Sequence, residues 1–121
     1  MTTTHPVAAH PTFTVLAEVA AERTRQDTQW GEQNHPDGTG PDVALTGLSR
    51  RAADAAHTAR FATELARAEG RLTWLHILRE EVYEGLADDD PAALRAELVQ
   101  IAATAVCWIE AIDRRAGKVT A

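Results

Sequence analysis

The apolar positions of this chain repeat every three or four residues along four segments, which is the period of an α-helix. No segment alternates with a period of two, so the sequence contains no convincing strand. Clusters of glycine and proline separate the segments. The predicted helices are about 13–29, 43–69, 74–87 and 91–115.

Local signals predict where these helices begin and end. Asp90-Pro91 is a strong start for the last helix, because an aspartate cap precedes a proline in the first helical turn. Gly117 is the expected stop of that helix. The other cap candidates are Thr12 or Thr14 for the first helix, Asp42 for the second and Thr73 for the third.

The pattern predicts one helical domain. Residues 1–11 lack periodicity and are interpreted as a flexible tail, residues 12–117 as the domain, and residues 118–121 as a short C-terminal tail. Residues 30–41 hold three glycines and two prolines, so they form a loop. We therefore expect an all-α fold, a bundle of four to five helices.

Composition narrows the classes of function. The chain has 121 residues, 45% of them hydrophobic, and a net charge of −6, which argues against a nucleic-acid partner. A small anionic substrate would need a cation to screen it. The single Cys107 excludes an internal disulfide and a cysteine-rich zinc site, and we expect it in the core. No signal-peptide pattern or membrane-length apolar run is evident, so we expect a cytoplasmic protein without a membrane partner.

Acidic side chains lie on the inner faces of the third and fourth predicted helices. Glu81 and Glu84 lie about 60° apart on one flank of the third apolar stripe. On the fourth helix Glu97 lies in the middle of a face that also carries Leu94 and Thr104. The short turn between the helices predicts antiparallel packing, which brings these acids together.

Two interpretations of these acids remain open. Glutamates three residues apart on a helix often form only a solvated face. Glu97 on an apolar face is costly without a cation, a partner or a proton, and like charges facing it would repel unless a metal lay between them. Oxygen ligands of this kind suit Mg²⁺ or Mn²⁺ rather than zinc.

The acidic motif resembles that of a known family. Glu80-Glu81-Val82-Tyr83-Glu84, followed by Glu97-Leu98-Val99-Gln100, resembles the motif of the MazG-like nucleoside triphosphate pyrophosphohydrolases. The segment 22–33 is also similar to the start of small MazG-like proteins. The resemblance implies an all-α oligomer that hydrolyses a nucleoside triphosphate to monophosphate and pyrophosphate with Mg²⁺.

The resemblance also implies roles for individual residues. Glu81, Glu84, Glu97 and Gln100 would bind Mg²⁺, and Glu80 and Glu81 would take the catalytic positions. The family usually has aspartate where this chain has Gln100, whose amide oxygen can bind Mg²⁺ but carries no charge. This departure weakens the site and leaves open a nucleotide-binding regulator that does not cut its ligand.

The loop after the first helix offers candidates for substrate binding. Trp30 can stack on a nucleobase, and Gln26, Gln33 and Asn34 can read base edges. Alternatively, Trp30 packs over the end of the bundle as a hydrophobic plug. The candidate phosphate contacts are Arg23, Arg50, Arg51 and Arg60.

Three functions follow, in order of preference. The first is a Mg²⁺-dependent nucleoside triphosphate pyrophosphohydrolase, the second a nucleotide-binding regulator with a degenerate metal site, and the third a helical interaction module without a ligand. We also expect a homodimer or homotetramer, because Trp108, Ile109 and Ile112 extend the apolar surface of the last helix beyond one narrow seam.

Overall fold

A computed structural model describes residues 10–37, 39–45 and 50–117. Four α-helices make up most of this part of the chain: α1 (Pro11–Trp30), α2 (Ala52–Ala68), α3 (Trp74–Leu86) and α4 (Pro91–Arg115). The only extended pairing among these residues is an isolated antiparallel bridge between Ala44 and Arg51. The prediction of an all-α fold is therefore confirmed for the described residues.

The chain divides into two compact units. One unit comprises residues 1–34 and 106–121, and the other comprises residues 35–105, so α4 contributes to both. Most of the predicted N-terminal tail, residues 1–9, and the whole C-terminal tail, residues 118–121, lie outside the described residues. The assignment of one domain to residues 12–117 stays a prediction.

In the first unit, α1 contacts the C-terminal part of α4. The hydroxyl of Thr12 donates a 2.7 Å hydrogen bond to Oε2 of Glu110. Val15 on α1 and Val106 on α4 are buried. Apart from Val15, no residue of α1 is fully buried, so the helix exposes much of its length to water.

In the second unit, α2 buries a face made of small side chains against its neighbours. Thr63 is buried among these residues, and its hydroxyl donates to the carbonyls of Ala59 and, on α3, His76. Small side chains let two helix backbones approach closely, and the threonine hydroxyl is satisfied there rather than left unpaired. The buried face consists of Ala52, Ala55, Ala56, Ala59, Thr63 and Ala66.

The predicted start of the second helix is wrong by nine residues. The sequence predicts a helix from about Val43 with an Asp42 cap, whereas α2 begins at Ala52 after Arg51. Residues before it pair as extended chain: the N–H of Leu45 donates to the Arg50 carbonyl, and the N–H of Ala52 donates to the Val43 carbonyl. These bonds satisfy backbone groups that a helix would otherwise have used.

The ends of α3 and α4 follow the local signals closely. At the start of α3, the backbone N–H of Thr73 donates to Nδ1 of His76. At the start of α4, Oδ2 of Asp90 accepts a 3.1 Å hydrogen bond from the backbone N–H of Ala93. Gly117 follows α4 with a φ of 73°, a left-handed conformation that glycine adopts without strain.

Helix α4 carries much exposed apolar surface. Cys107 is exposed rather than in the core as predicted, because it lies on a face of α4 that none of the described residues covers. By length and composition alone α4 could cross a membrane, although core helices of soluble proteins meet the same criterion. The absence of a membrane partner stays a prediction. The exposed large apolar side chains are Phe13, Leu16, Val19, Trp30, Phe61, Leu65, Leu75, Leu98, Val99, Ile109 and Ile112.

Removing the cap of α4 should lower the stability of the protein. We expect Asp90→Ala to reduce the free energy of unfolding by about 1 kcal/mol, because the N–H of Ala93 loses its acceptor. Urea denaturation measures the change. The neighbouring Asp89→Ala is the control and should stay within about 0.5 kcal/mol of wild type. An equal loss in both variants would show that the cap bond contributes nothing specific.

Candidate functional site

Gly85 of α3 lies close to side chains of α4. Gly85 is buried, and a Cβ built on it would lie 3.3 Å from both Cγ of Glu97 and Cδ1 of Ile101. Most real Cβ contacts are longer, so a larger residue here would require the side chains of Glu97 and Ile101 to shift by a few tenths of an ångström. The backbone of α3 therefore lies directly against the side chain of Glu97.

Glu81 points from α3 towards α4. The hydroxyl of Thr104 donates to both carboxylate oxygens of Glu81, at 2.8 Å each. Both residues are half-buried. The bond links two helices across 23 positions of sequence, so the Glu81 carboxylate is held in the space between the helices and is not directed into bulk solvent.

Glu84 lies near another glutamate, Glu80, and near the cationic side chain of Arg60. Burial and a hydrogen bond with Glu80 raise the pKa of Glu84, the guanidinium of Arg60 lowers it, and the charges of Glu80 and Glu97 raise it again. Nη2 of Arg60, on α2, lies 3.5 Å from Oε2 of Glu84. The net effect is a raised pKa, so one arginine does not offset burial and the neighbouring acids.

The charges of several acids on α3 and the following turn act on Glu97 of α4. Burial is the largest cause of the raised pKa of Glu97, and the charges of Glu81, Asp88 and Glu80 raise this pKa further. Each of these effects disfavours the charged form. Glu80, Glu81, Glu84, Asp88 and Glu97 therefore form one electrostatically linked set, which we call the acidic cluster.

The donor chemistry of the acidic cluster suits a divalent cation. Its oxygen donors are all carboxylate oxygens, the type that Mg²⁺ and Mn²⁺ prefer. Their combined negative charge is larger than the single positive charge of Arg60, which is paired with Glu84. Within the part of the chain that the structure describes, however, no three acidic, histidine or cysteine side chains converge closely enough to hold a metal ion. Glu81 is hydrogen-bonded to Thr104 and Glu84 is paired with Arg60, so these carboxylates would have to turn towards one another to share a cation.

Gln100 does not lie on the face of α4 that carries Glu97 and Thr104. It is exposed on α4, whereas Thr104, one turn further along the helix, makes the contact with Glu81. The uncharged amide therefore takes no part in the described contacts of the acidic cluster.

The residues predicted to bind the nucleobase belong to the other unit of the chain. Trp30 ends α1 with 64% of its surface exposed. Gln26 is half-buried and accepts a 2.8 Å hydrogen bond from Nη1 of Arg23. Asn34 donates to Oε2 of Glu32 at 2.9 Å. Both interpretations of Trp30, as a contact for the nucleobase and as a hydrophobic plug, stay predictions.

Gln33 lines an open groove at the end of α1. The groove has a volume of about 700 Å³, and Arg23 in it is paired with Asp27 at 2.7 Å. Arg23 is thus already neutralised by an acid of its own helix, which makes it a weaker phosphate contact than the sequence suggests. The lining residues are Arg23, Asp27, Gly31, Glu32 and Gln33.

Three residues of the site carry a role that sequence reasoning did not assign. Thr104 lies at helical spacing from Glu97, which signals a shared face but not a bond to Glu81. Gly85 within a helix signals close packing, although its partner is not visible in sequence. Arg60 was one of four candidate arginines, and only the packing of α2 on α3 singles it out.

Comparison of the chain with protein-family models, with curated proteins and with solved structures gave no match. The resemblance to the MazG-like family therefore depends on the acidic motif and the segment 22–33, and it stays a prediction.

The raised pKa of Glu97 predicts how stability changes with pH. Because the folded state binds the proton of Glu97 more tightly than the unfolded state does, this residue costs stability as the pH rises above its ordinary pKa of 4.5. In metal-free buffer at pH 7, Glu97→Gln should therefore have a larger free energy of unfolding than wild type. Because solvent screens part of the repulsion, we expect a gain of up to about 1 kcal/mol, which urea denaturation measures.

The difference between Glu97→Gln and wild type should vanish at a pH well below 4.5, where the wild-type carboxyl is neutral in both the folded and the unfolded state. Glu64→Gln, at an exposed position of α2, is the matched control and should change stability little at either pH. A Glu97→Gln variant that is less stable than wild type at pH 7 would contradict the assignment of Glu97 to a set of mutually repelling acids.

Proposed function

We propose that this protein is a Mg²⁺-dependent nucleoside triphosphate pyrophosphohydrolase. The observation that carries the proposal is the inward orientation of Glu81, held by the Thr104 hydroxyl, beside a Glu97 that packs against Gly85. Glutamates that merely solvate a helix would point outward and would not raise the pKa of Glu97 across two helices.

The proposed ligands of the metal are Glu81, Glu84 and Glu97, with Glu80 and Glu81 at the catalytic positions. Held by these carboxylates, Mg²⁺ would offset the negative charge of the phosphates. Glu80, which interacts with Glu84, is proposed to orient the attacking water and to accept its proton. Attack of that water on the α-phosphorus would break the bond to the bridging oxygen and release pyrophosphate.

The neighbouring side chains support this chemistry by orientation. The bond from Thr104 keeps the Glu81 side chain directed towards α4. The close contact at Gly85 keeps α3 near α4, so the two halves of the acidic motif face the same space.

A screen of ribo- and deoxyribonucleoside triphosphates with Mg²⁺ and with Mn²⁺ tests the activity directly. We expect at least one triphosphate to yield monophosphate and pyrophosphate, resolved from orthophosphate by anion-exchange chromatography. Glu81→Gln should lower kcat by about a hundredfold or more, because it removes a charged ligand while keeping the shape of the side chain.

Two results control this experiment. Glu64→Gln, the same chemical change on an exposed face of α2, should leave kcat within about twofold of wild type. Release of orthophosphate, or no product from any triphosphate with either metal, would overturn the pyrophosphohydrolase proposal.

The exposure of Gln100 favours one second candidate, a nucleotide-binding regulator that does not cut its ligand. An uncharged and outward residue at the last position of the motif leaves α4 with one carboxylate, Glu97, in the acidic cluster. Calorimetry that detects nucleotide binding without turnover would favour this candidate. It would be favoured further if Gln100→Asp created activity that the wild type lacks.

We also propose that the protein is a homodimer or homotetramer. Ile109 and Ile112 on α4 are exposed in the single chain, and Trp108 beside them is half-buried. Apolar side chains of this size gain roughly 25 cal/mol per Å² when they are removed from water, so a second copy would stabilise this face.

A further inference from the structure

Two helices, α1 and α3, begin at a backbone N–H that donates to a histidine side chain. At the start of α1, Nδ1 of His10 accepts a 3.1 Å hydrogen bond from the backbone N–H of Thr12. At the start of α3, Nδ1 of His76 accepts a 3.1 Å hydrogen bond from the backbone N–H of Thr73, whose hydroxyl lies 2.7 Å from the same nitrogen. Aspartate, asparagine, serine or threonine usually caps a helix, and glutamate or glutamine usually takes the position of His76, so both histidines are unusual acceptors.

We propose that these two histidines form a pH-sensitive device, in which protonation of the imidazole releases the first turns of α1 and α3. A nitrogen that accepts a backbone N–H carries no proton, so each cap requires the neutral imidazole. Histidine side chains ordinarily change charge between about pH 5 and pH 8. The opened turn binds the proton more readily than the closed turn, so each cap stabilises its helix at the upper end of this range and is lost towards the lower end. The inference does not depend on the proposed function.

The helix dipole opposes protonation at the same two positions. The N-terminus of a helix carries a partial positive charge, which repels an imidazolium. Neither α1 nor α3 has an acidic residue in its first turn that would offset this charge. By contrast, the cap of α4 is the carboxylate of Asp90, and an aspartate ordinarily titrates only at about pH 4. The start of α4 is therefore an internal control.

Each histidine lies beside a bond that ties its helix to a neighbouring helix. Thr12, whose N–H donates to His10, also donates through its hydroxyl to Glu110 of α4. The backbone carbonyl of His76 accepts a 3.1 Å hydrogen bond from the hydroxyl of Thr63 on α2. Opening of a first turn would move Thr12 or His76 away from these partners. Protonation would therefore loosen the contact of α1 with α4 and that of α2 with α3.

Charged groups on the same and the neighbouring elements act on the two imidazoles in both directions. Acids favour the imidazolium and bases disfavour it, but none of them supplies the acceptor that the backbone N–H loses. The acids within one helical turn of the two caps and of their contacts are Glu64, Glu69, Glu80, Glu110 and Asp113. The bases within the same distance are Arg60, Arg67, Arg71, Arg79 and Arg114. Because acids and bases are equal in number, the lost acceptor and the helix dipole decide the direction of the effect.

NMR spectra of the full, isotope-labelled chain at about pH 8 and about pH 5 test the proposal. In the wild type, we expect the ratio of open to helical first turns in α1 and α3 to rise about fivefold on acidification, because a cap contributes about this factor. The Cα chemical shifts of residues 11–14 and 74–77 report this ratio. The backbone amide signal of Thr73 should shift with the same midpoint as the imidazole signals of His76, whereas residues 91–94 of α4 should keep their Cα shifts.

Two variants keep the caps but remove their titration. His76→Gln supplies an amide oxygen where glutamine commonly accepts the N–H, and His10→Asn supplies a preferred capping side chain. In each variant, the first turn next to the substitution should lose its response to pH, while the other first turn keeps its own. His57→Gln, at an exposed position of α2, is the matched control and should leave both responses as in the wild type.

Two results would overturn the proposal. One is a wild type whose first turns keep the same Cα shifts at both pH values, and the other is a pH response that persists unchanged in His76→Gln and His10→Asn. Should a variant fail to fold, the wild-type amide signals of Thr73 and Thr12 decide the question. Amide signals that do not follow the titration of His76 and His10 would contradict the histidine caps.

Discussion

Acidic side chains on α3 and α4 repel one another, yet the packing of the two helices keeps them close. Gly85 of α3 lies directly against the side chain of Glu97 on α4, and this close contact brings the acids of the two helices near one another. Burial and neighbouring charge raise the pKa values of Glu84 and Glu97. Such a cost to stability is typical of a site that is shaped for a ligand rather than for the fold alone.

The described side chains show how the chain tolerates this repulsion by itself. The Thr104 hydroxyl compensates Glu81 by hydrogen bonding, and the Arg60 guanidinium compensates Glu84 by charge. Both partners are neutral or singly charged, so they offset the acids only in part. A divalent cation would supply the missing charge, which is why the metal-dependent proposal fits the electrostatics better than a helical module without a ligand.

Local chemistry determined how well the sequence predicted each element. The start of α4 follows from Asp90-Pro91, and its end follows from Gly117, so both were predictable from short segments. The start of α2 was not, because the pairing of Val43 and Leu45 with Ala52 and Arg50 depends on backbone bonds with no residue signature. Likewise, helical spacing predicts that Glu81 and Glu97 face inward, whereas the partners Thr104 and Arg60 depend on how α2, α3 and α4 pack.

The proposed pyrophosphohydrolase activity requires the acids of α3 and α4 to share one divalent cation. Titration of isotope-labelled protein with Mn²⁺, followed by paramagnetic broadening of backbone amide signals, locates any bound ion. We expect the first signals to broaden to be those of residues 80–85 and of residues near Glu97 and Thr104. Broadening that begins instead at the groove near Asp27 and Glu32, or that spreads evenly over all exposed acids, would contradict a shared metal site.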